Sequence, residues 1–220
     1  MAELIHGLDA GLVRERVAEA RERIEAAARR AGRDPAGVEL LAAVKYVPLD
    51  ELGALAEAGI TTVGENRAQE LVAKARAYPG AFTWDFIGHL QSRKVKELVP
   101  YVRYIHSVAS DSALAQLAKH PAEVLVEVNV AAEASKSGIA PAELRAFLER
   151  APVRVVGLMT MPPAAASAEQ SRPHFAALRE LAAAHGLEHL SMGTSQDYEV
   201  AVEEGATIVR LGSILYRQSP

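Results

Sequence analysis

Lys45 follows the apolar run Leu40-Leu41-Ala42-Ala43-Val44 with no turn former between them. That is the pattern of a buried strand delivering an amine to its C-terminal end. An ammonium held against low-dielectric surroundings loses its preference for the charged form, and a partly neutral amine is what Schiff-base chemistry requires. Taken alone, the stretch also fits a lysine that leaves the strand and reaches water. A second group, Gly193-Thr194-Ser195, joins a glycine to two hydroxyls, and Gly212-Ser213 repeats the combination near the end of the chain. Backbone N–H groups and a hydroxyl at the start of a helix suit a phosphate. Capping is the commoner use of a serine placed like Ser195, and the two roles coexist. Arg210 interrupts the apolar residues Ile208-Val209 and Leu211, so its guanidinium is expected to point inward and to need a partner. That partner is either a carboxylate such as Glu65 or a ring nitrogen of a ligand.

The elements that must position these groups recur with a regular period. Apolar residues at Val13, Val17, Ala20, Ile24 and Ala27, followed by Gly32, predict an amphipathic helix over 8–31. Strands are then expected near 38–45, 61–64, 83–88, 104–108, 124–130, 153–161, 189–192 and 207–215. Helices are expected to start close to Asp50, Ala68, Ser92, Asp111, Pro141, Ser167 and Ser195, with Asp50, Asp111 and Ser195 as N-caps and Pro141 in a first turn. Such a βα repeat forces parallel pairing. A doubly wound sheet would usually carry a glycine-rich phosphate turn after its first strand, and no G-x-G-x-x-G or Walker pattern occurs. The expected fold is therefore α/β, a (β/α)8 TIM barrel with an extra N-terminal helix that closes the outer ring, because nothing helical is expected after the last strand. No linker divides the chain, so residues 1–220 read as one domain; the loosest segment is the Pro- and Ala-rich loop over 162–167.

Composition narrows the classes. Half of the 220 residues are hydrophobic and the formal charge is -4, which gives no reason to expect nucleic acid or anionic lipid as a partner. The absence of cysteine excludes disulfides and thiolate chemistry. No apolar stretch approaches the roughly 20 residues of a membrane span and no basic leader precedes one, so a cytoplasmic protein is expected.

In such a barrel the C-terminal strand ends form the active face, and phosphate sites are often built by the loops after strands seven and eight. A phosphate anchor beside strand eight and an amine on the adjacent strand one suggest a ligand with both a phosphate and a carbonyl, the outline of pyridoxal 5'-phosphate (PLP).

The chain resembles the pyridoxal-phosphate homeostasis proteins, single-domain relatives of the alanine racemase barrel. The likeness is carried by Ala43-Val44-Lys45, Gly64-Glu65-Asn66, Phe86-Ile87-Gly88-His89-Leu90-Gln91-Ser92, Ser135-Lys136-Ser137-Gly138, Gly157-Leu158-Met159, Leu190-Ser191-Met192-Gly193-Thr194-Ser195 and Arg210-Leu211-Gly212-Ser213. It implies that Lys45 forms the internal aldimine with PLP and that Ser195, Gly212 and Ser213 hold the phosphate. It also implies that Arg210 lies near the pyridine nitrogen, keeping it unprotonated and the ring a weak electron sink, and that Asn66 and Met192 belong to the pocket wall. Many members have a small polar residue where this chain has Val44, a change expected to dry the edge of the site. Alanine racemases resembling this barrel add a C-terminal β-domain that supplies a second acid/base, whereas this chain stops at Pro220. A lone lysine base is a poor racemase. The expectation is a monomeric, non-catalytic carrier that supplies PLP to apo-enzymes. The alternatives are a PLP-dependent amino-acid racemase or related enzyme of low activity, and a Schiff-base aldolase barrel acting on sugar phosphates.

Three weaker signals are set aside. His185-Gly186-Leu187-Glu188-His189 spells H-x-x-E-H, but Gly186 is expected to break the helix that zinc binding needs, so no metal site is expected. Lys136-Ser137-Gly138 resembles K-T-G without the S-x-x-K that β-lactamase chemistry requires. Lys136 is read as a solvated lysine rather than a second PLP site, and His89 and His106 as hydrogen-bonded structural histidines.

Overall fold

The structure is a computed structural model that describes residues 4–133, 137–163 and 166–216. Eight parallel strands close into a barrel in sequence order: β1 (Glu39–Ala43), β2 (Thr62–Glu65), β3 (Thr83–Phe86), β4 (Val102–Val108), β5 (Glu123–Glu127), β6 (Val155–Met159), β7 (His189–Thr194) and β8 (Ile208–Leu211). Closure is made by β1 against β8, with Leu41 opposite Arg210 and Ala42 opposite Leu211. The (β/α)8 barrel expected from the βα period is thus present, and the C-terminal strand ends share one mouth.

The helices are α1 (Ala10–Arg30), α2 (Leu52–Glu57), α3 (Ala68–Ala77), α4 (Val95–Leu98), α5 (Asp111–Leu117), α6 (Leu144–Glu149), α7 (Arg172–Ala184), α8 (Tyr198–Glu203) and α9 (Ser213–Tyr216). In α1 the five residues read from the periodicity are buried, together with Ala28, and Asp9 caps the helix by accepting from the Leu12 N–H at 2.7 Å. The helix packs on α2, α8 and α9, which completes the outer ring between the first and last repeats. Arg30 pairs with Glu199 and Glu203 of α8 at 3.3 and 2.8 Å, so it is part of that contact and not simply a solvated charge.

Several expectations are corrected. A short helix, α9, does follow the last strand, which ends at Leu211 and not at residue 215. Asp50 lies inside a 3-10 turn and Asp111 is already the first residue of α5, whose cap is Ser110, accepting from the Ala113 N–H at 3.2 Å. The final long loop enters its helix at Tyr198, with Asp197 in the cap position in place of Ser195. Pro141 does sit in a first turn.

Alternation along the strands separates two cores. Val124 and Val126 belong to the large apolar layer between barrel and helices, whereas Leu125 joins Val156 and Met159 in a second, smaller cluster touched by Tyr104. No described helix is long and apolar enough to cross a membrane.

Candidate cofactor site

A cleft of about 550 Å³ opens at the C-terminal strand ends. Lys45, Asn66, Ser195, Arg210, Gly212 and Ser213 all line it. Met192 does not: it is fully buried in the outer apolar layer, because its neighbour Ser191 takes the inward position on β7 and successive strand residues face opposite sides. The expectation that Met192 forms pocket wall is therefore corrected; Met159 and Met161 line the cleft instead. Val44 is likewise fully buried in the outer layer and does not edge the cleft.

Lys45 is exposed, two residues past the end of β1, with Nζ 4.7 Å from the Tyr46 ring centroid. Burial stops at Val44, so the reading of an amine pressed against low dielectric gives way to the alternative in which the side chain reaches solvent at the mouth. The loop that carries it is held from two sides. Ile5, itself in the cleft, donates its N–H to the Tyr46 carbonyl at 2.9 Å. Farther along, the Glu51 carboxylate accepts from the Gly7 and Leu8 N–H groups at 2.6 and 2.9 Å.

The loops after β7 and β8 meet as expected, by a different bond. Asp197 accepts from the N–H and hydroxyl of Thr194 at 2.8 and 3.1 Å, which closes the turn without Ser195. Gly193 has φ +91°, and a Cβ there would lie 2.6 Å from the Ala201 Cβ, so only glycine fits the turn. Ser195, relieved of capping, accepts from the Gly212 N–H at 3.2 Å and ties the two loops together.

Arg210 is buried, and among the described residues no carboxylate pairs with it. Its Nη1 donates to the Ser191 carbonyl and hydroxyl at 2.8 and 2.6 Å, and Nη2 to the Thr160 carbonyl at 2.9 Å. Burial pushes the guanidinium pKa down to about 10, against a weaker upward pull from Asp197 and Glu127. Glu65, the carboxylate suggested from sequence, is engaged elsewhere. From Ser191 a buried chain runs down the barrel: its hydroxyl lies 2.9 Å from His106 Nδ1, and His106 Nε2 lies 3.1 Å from Asp85. Asp85 also accepts from Arg103, which bridges to Glu39 at the base of β1. Burial pushes the Asp85 carboxyl up, but hydrogen bonds from His106 and Arg103 outweigh it and hold the pKa below the usual range. Burial pushes His106 down more than Asp85 raises it, so the ring is neutral. The polarity follows: Arg210 donates to Ser191, Ser191 to Nδ1, and Nε2–H to Asp85.

A second buried group supports Lys45. Lys74 on α3 and Glu65 at the end of β2 are 2% and 0% exposed and 2.5 Å apart. Lys74 Nζ also donates to the Val44 carbonyl at 2.9 Å, and Glu65 accepts from the Asn66 N–H at 2.7 Å. One ion pair thus fixes the backbone beside both Lys45 and Asn66.

Compared with known proteins, residues 16–220 match the family described as alanine racemase, N-terminal domain. The pyridoxal phosphate homeostasis protein of Aquifex aeolicus (strain VF5) is 41% identical over 219 residues, covering 92% of this chain and 96% of that protein. The chain belongs to the pyridoxal phosphate homeostasis protein family. Among solved structures, PipY of Synechococcus elongatus PCC7942 with PLP bound is 31% identical with a TM-score of 0.79, covering 93% of this chain and all of that one. A protein of unknown function from Bifidobacterium adolescentis is 32% identical with a TM-score of 0.85, covering 98% of both chains.

Within this family member, the sequence reading missed Lys74, Asp85 and the inward face of Ser191. Each had a signal. Lys74 falls three residues after Leu71 on the apolar face of α3, and Asp85 sits between Trp84 and Phe86. His106 is hydrogen-bonded and structural, as read, while His89 lines the cleft and is exposed. His185 closes α7 and His189 opens β7, so they share no helical face. Lys136 lies outside the described residues.

Two outcomes are expected. Lys74→Met leaves Glu65 buried and unpaired and should cost about 3–5 kcal/mol in urea denaturation, while Lys74→Met with Glu65→Leu recovers most of that loss. An additive pair of costs would refute the coupling. For His106, the folded chain keeps the ring neutral whereas the unfolded chain takes up a proton near pH ~6.5, so stability should fall as pH drops through that value, by up to about 1.4 kcal/mol per unit. Asp85 acts in the same direction lower down, its contribution being complete above pH ~4 and lost beneath it. Denaturation midpoints of His106→Gln should be flatter between pH 7.5 and 5.5; a variant as acid-sensitive as its parent would remove His106 as the cause.

Proposed function

We propose that this chain binds PLP through Lys45 Nζ and serves as a non-catalytic carrier, holding the cofactor reversibly and supplying it to apo-enzymes. The observation that supports the reading most directly is the convergence of an accessible amine, a buried arginine and two hydroxyl-bearing loops on one cleft. The site also fits the group chemically. Asn66 Oδ1 is buried with no hydrogen-bond partner among the described residues, and a buried unpaired amide oxygen calls for a ligand or water. The hydrogen bonds of Arg210 among the described residues use Nη1 and Nη2, leaving Nε to donate to a neutral ring nitrogen.

In this reading PLP supplies an aldehyde carbon for reversible exchange between amines. Lys45 provides the nucleophilic nitrogen, Ser195, Gly212 and Ser213 take the phosphate, Asn66 contributes a polar wall, and Arg210 is oriented by Ser191 and Thr160. An arginine at the ring nitrogen donates without giving up its proton, which suits holding the cofactor better than stabilising a carbanion. Exposure of Lys45 at the mouth suits release, since a competing amine or water reaches the same atom.

Two measurements test this. Purified protein mixed with PLP should show the visible absorption of a lysine-linked cofactor, borohydride should fix the label on Lys45, and Lys45→Ala should show neither; label on another lysine would displace Lys45 from the role. The loaded protein should also activate an apo-enzyme that depends on PLP more effectively than free PLP at equal concentration. Equal activation would leave binding but remove delivery.

A further inference from the structure

Tyr216 is the last residue of α9, one turn beyond Ser213, and the two share a face of that short helix at the i, i+3 spacing. Both line the cleft. The Tyr216 side chain is 4% exposed, and its Oη has no hydrogen-bond partner among the described residues. A buried phenol without a partner is costly relative to a satisfied one. Such a group points to a ligand that completes it. Tyr216 also lines a smaller cavity of about 170 Å³ with Gly7, Leu8, Asp9, Leu12 and Val13, on the side where α9 packs on α1. Burial pushes the phenol pKa far up, which keeps the hydroxyl a donor at every physiological pH. Ser213, on the same short helix, and Gly212, just before it, line the same cleft, and Lys45 and Arg210 are the only lysine and arginine among the described lining residues.

We propose that Tyr216 Oη donates a hydrogen bond to the phosphate of the bound cofactor and so sets the preference of the site for phosphorylated over unphosphorylated pyridoxal, an inference that rests on the PLP reading above. With few cations lining the cleft, recognition of the dianion depends on neutral donors, and each contributes a larger share of the discrimination. Neutral donors also bind phosphate less tightly than a lysine or arginine clamp, in keeping with a site that releases what it holds.

The test titrates wild-type apo-protein and Tyr216→Phe with PLP and, separately, with pyridoxal, following the visible absorption. Phenylalanine keeps the ring against α1 and removes only the oxygen. Affinity for PLP should fall about tenfold or more, the loss typical of one hydrogen bond to a charged group, while affinity for pyridoxal stays the same. In a second arm that does not involve Lys45, inorganic phosphate should raise the melting temperature of wild-type apo-protein and raise that of the variant less. Equal weakening toward PLP and pyridoxal, or no change toward either, overturns the assignment. Wild-type protein that binds no PLP overturns the cofactor reading and this inference together, whereas normal wild-type binding with an unchanged PLP-to-pyridoxal ratio in the variant overturns this inference alone.

Discussion

The pairing of β1 with β8 is the contact on which the rest of the molecule depends. These strands are the most distant in sequence, and their register places Leu41 beside Arg210 and Ala42 beside Leu211. The amine leaves β1 just beyond that ladder, and the Gly212-Ser213 loop leaves β8 at the same level. Nothing local brings them together: the loop-closure entropy of nearly the whole chain stands against it. The six further strands complete the cylinder between them, and the β1–β8 ladder leaves the sheet without an open edge. A site shared by the first and last strands therefore exists only when folding is complete.

Inside that cylinder the chain carries an unusual amount of charge. A barrel of this size would normally fill its interior with branched apolar residues, yet here Glu39, Arg103, Asp85, His106, Ser191 and Arg210 form a continuous polar column from the base to the mouth. Every step is bonded, which is the condition for tolerating buried ions. The column also separates opposite charges, with Asp85 ionised below and Arg210 cationic above a neutral imidazole. Lys74 and Glu65 repeat the strategy outside the barrel wall, tightening backbone next to Lys45 and Asn66. The groups that line the mouth are thus held in place by bonds that lie outside it.

Periodicity made much of this legible. The five apolar positions of α1 and the βα alternation led to the barrel, its closure and the strand ends that form the mouth, because burial is written at every third or fourth residue of a helix and every stretch of strand. Boundaries were less legible: Ser195 looks like a cap, but the helix starts at Tyr198, because the Asp197 carboxylate closes the preceding turn on the amide and hydroxyl of Thr194. Met192 was misplaced for a simpler reason. A motif of six residues does not say which of its members face inward, and Ser191 takes the inward place. Lys74 and Asp85 escaped since a charged residue on an apolar face is read as surface unless its partner, distant in sequence, is known. Tyr216 escaped similarly, as one aromatic residue in an apolar tail.

The strap formed by residues 5–8 carries a further consequence. Its backbone is bonded to the Tyr46 carbonyl and to Glu51, on either side of the segment that follows the reactive lysine. Tension or bulk applied to residues 5–8 is therefore transmitted to the wall of the cleft that carries Lys45, through three hydrogen bonds and no intervening helix. An amino-terminal fusion is mechanically a handle on the loop that carries Lys45, whereas an insertion in the peripheral loop between α5 and β5 would pull only on the far side of the barrel.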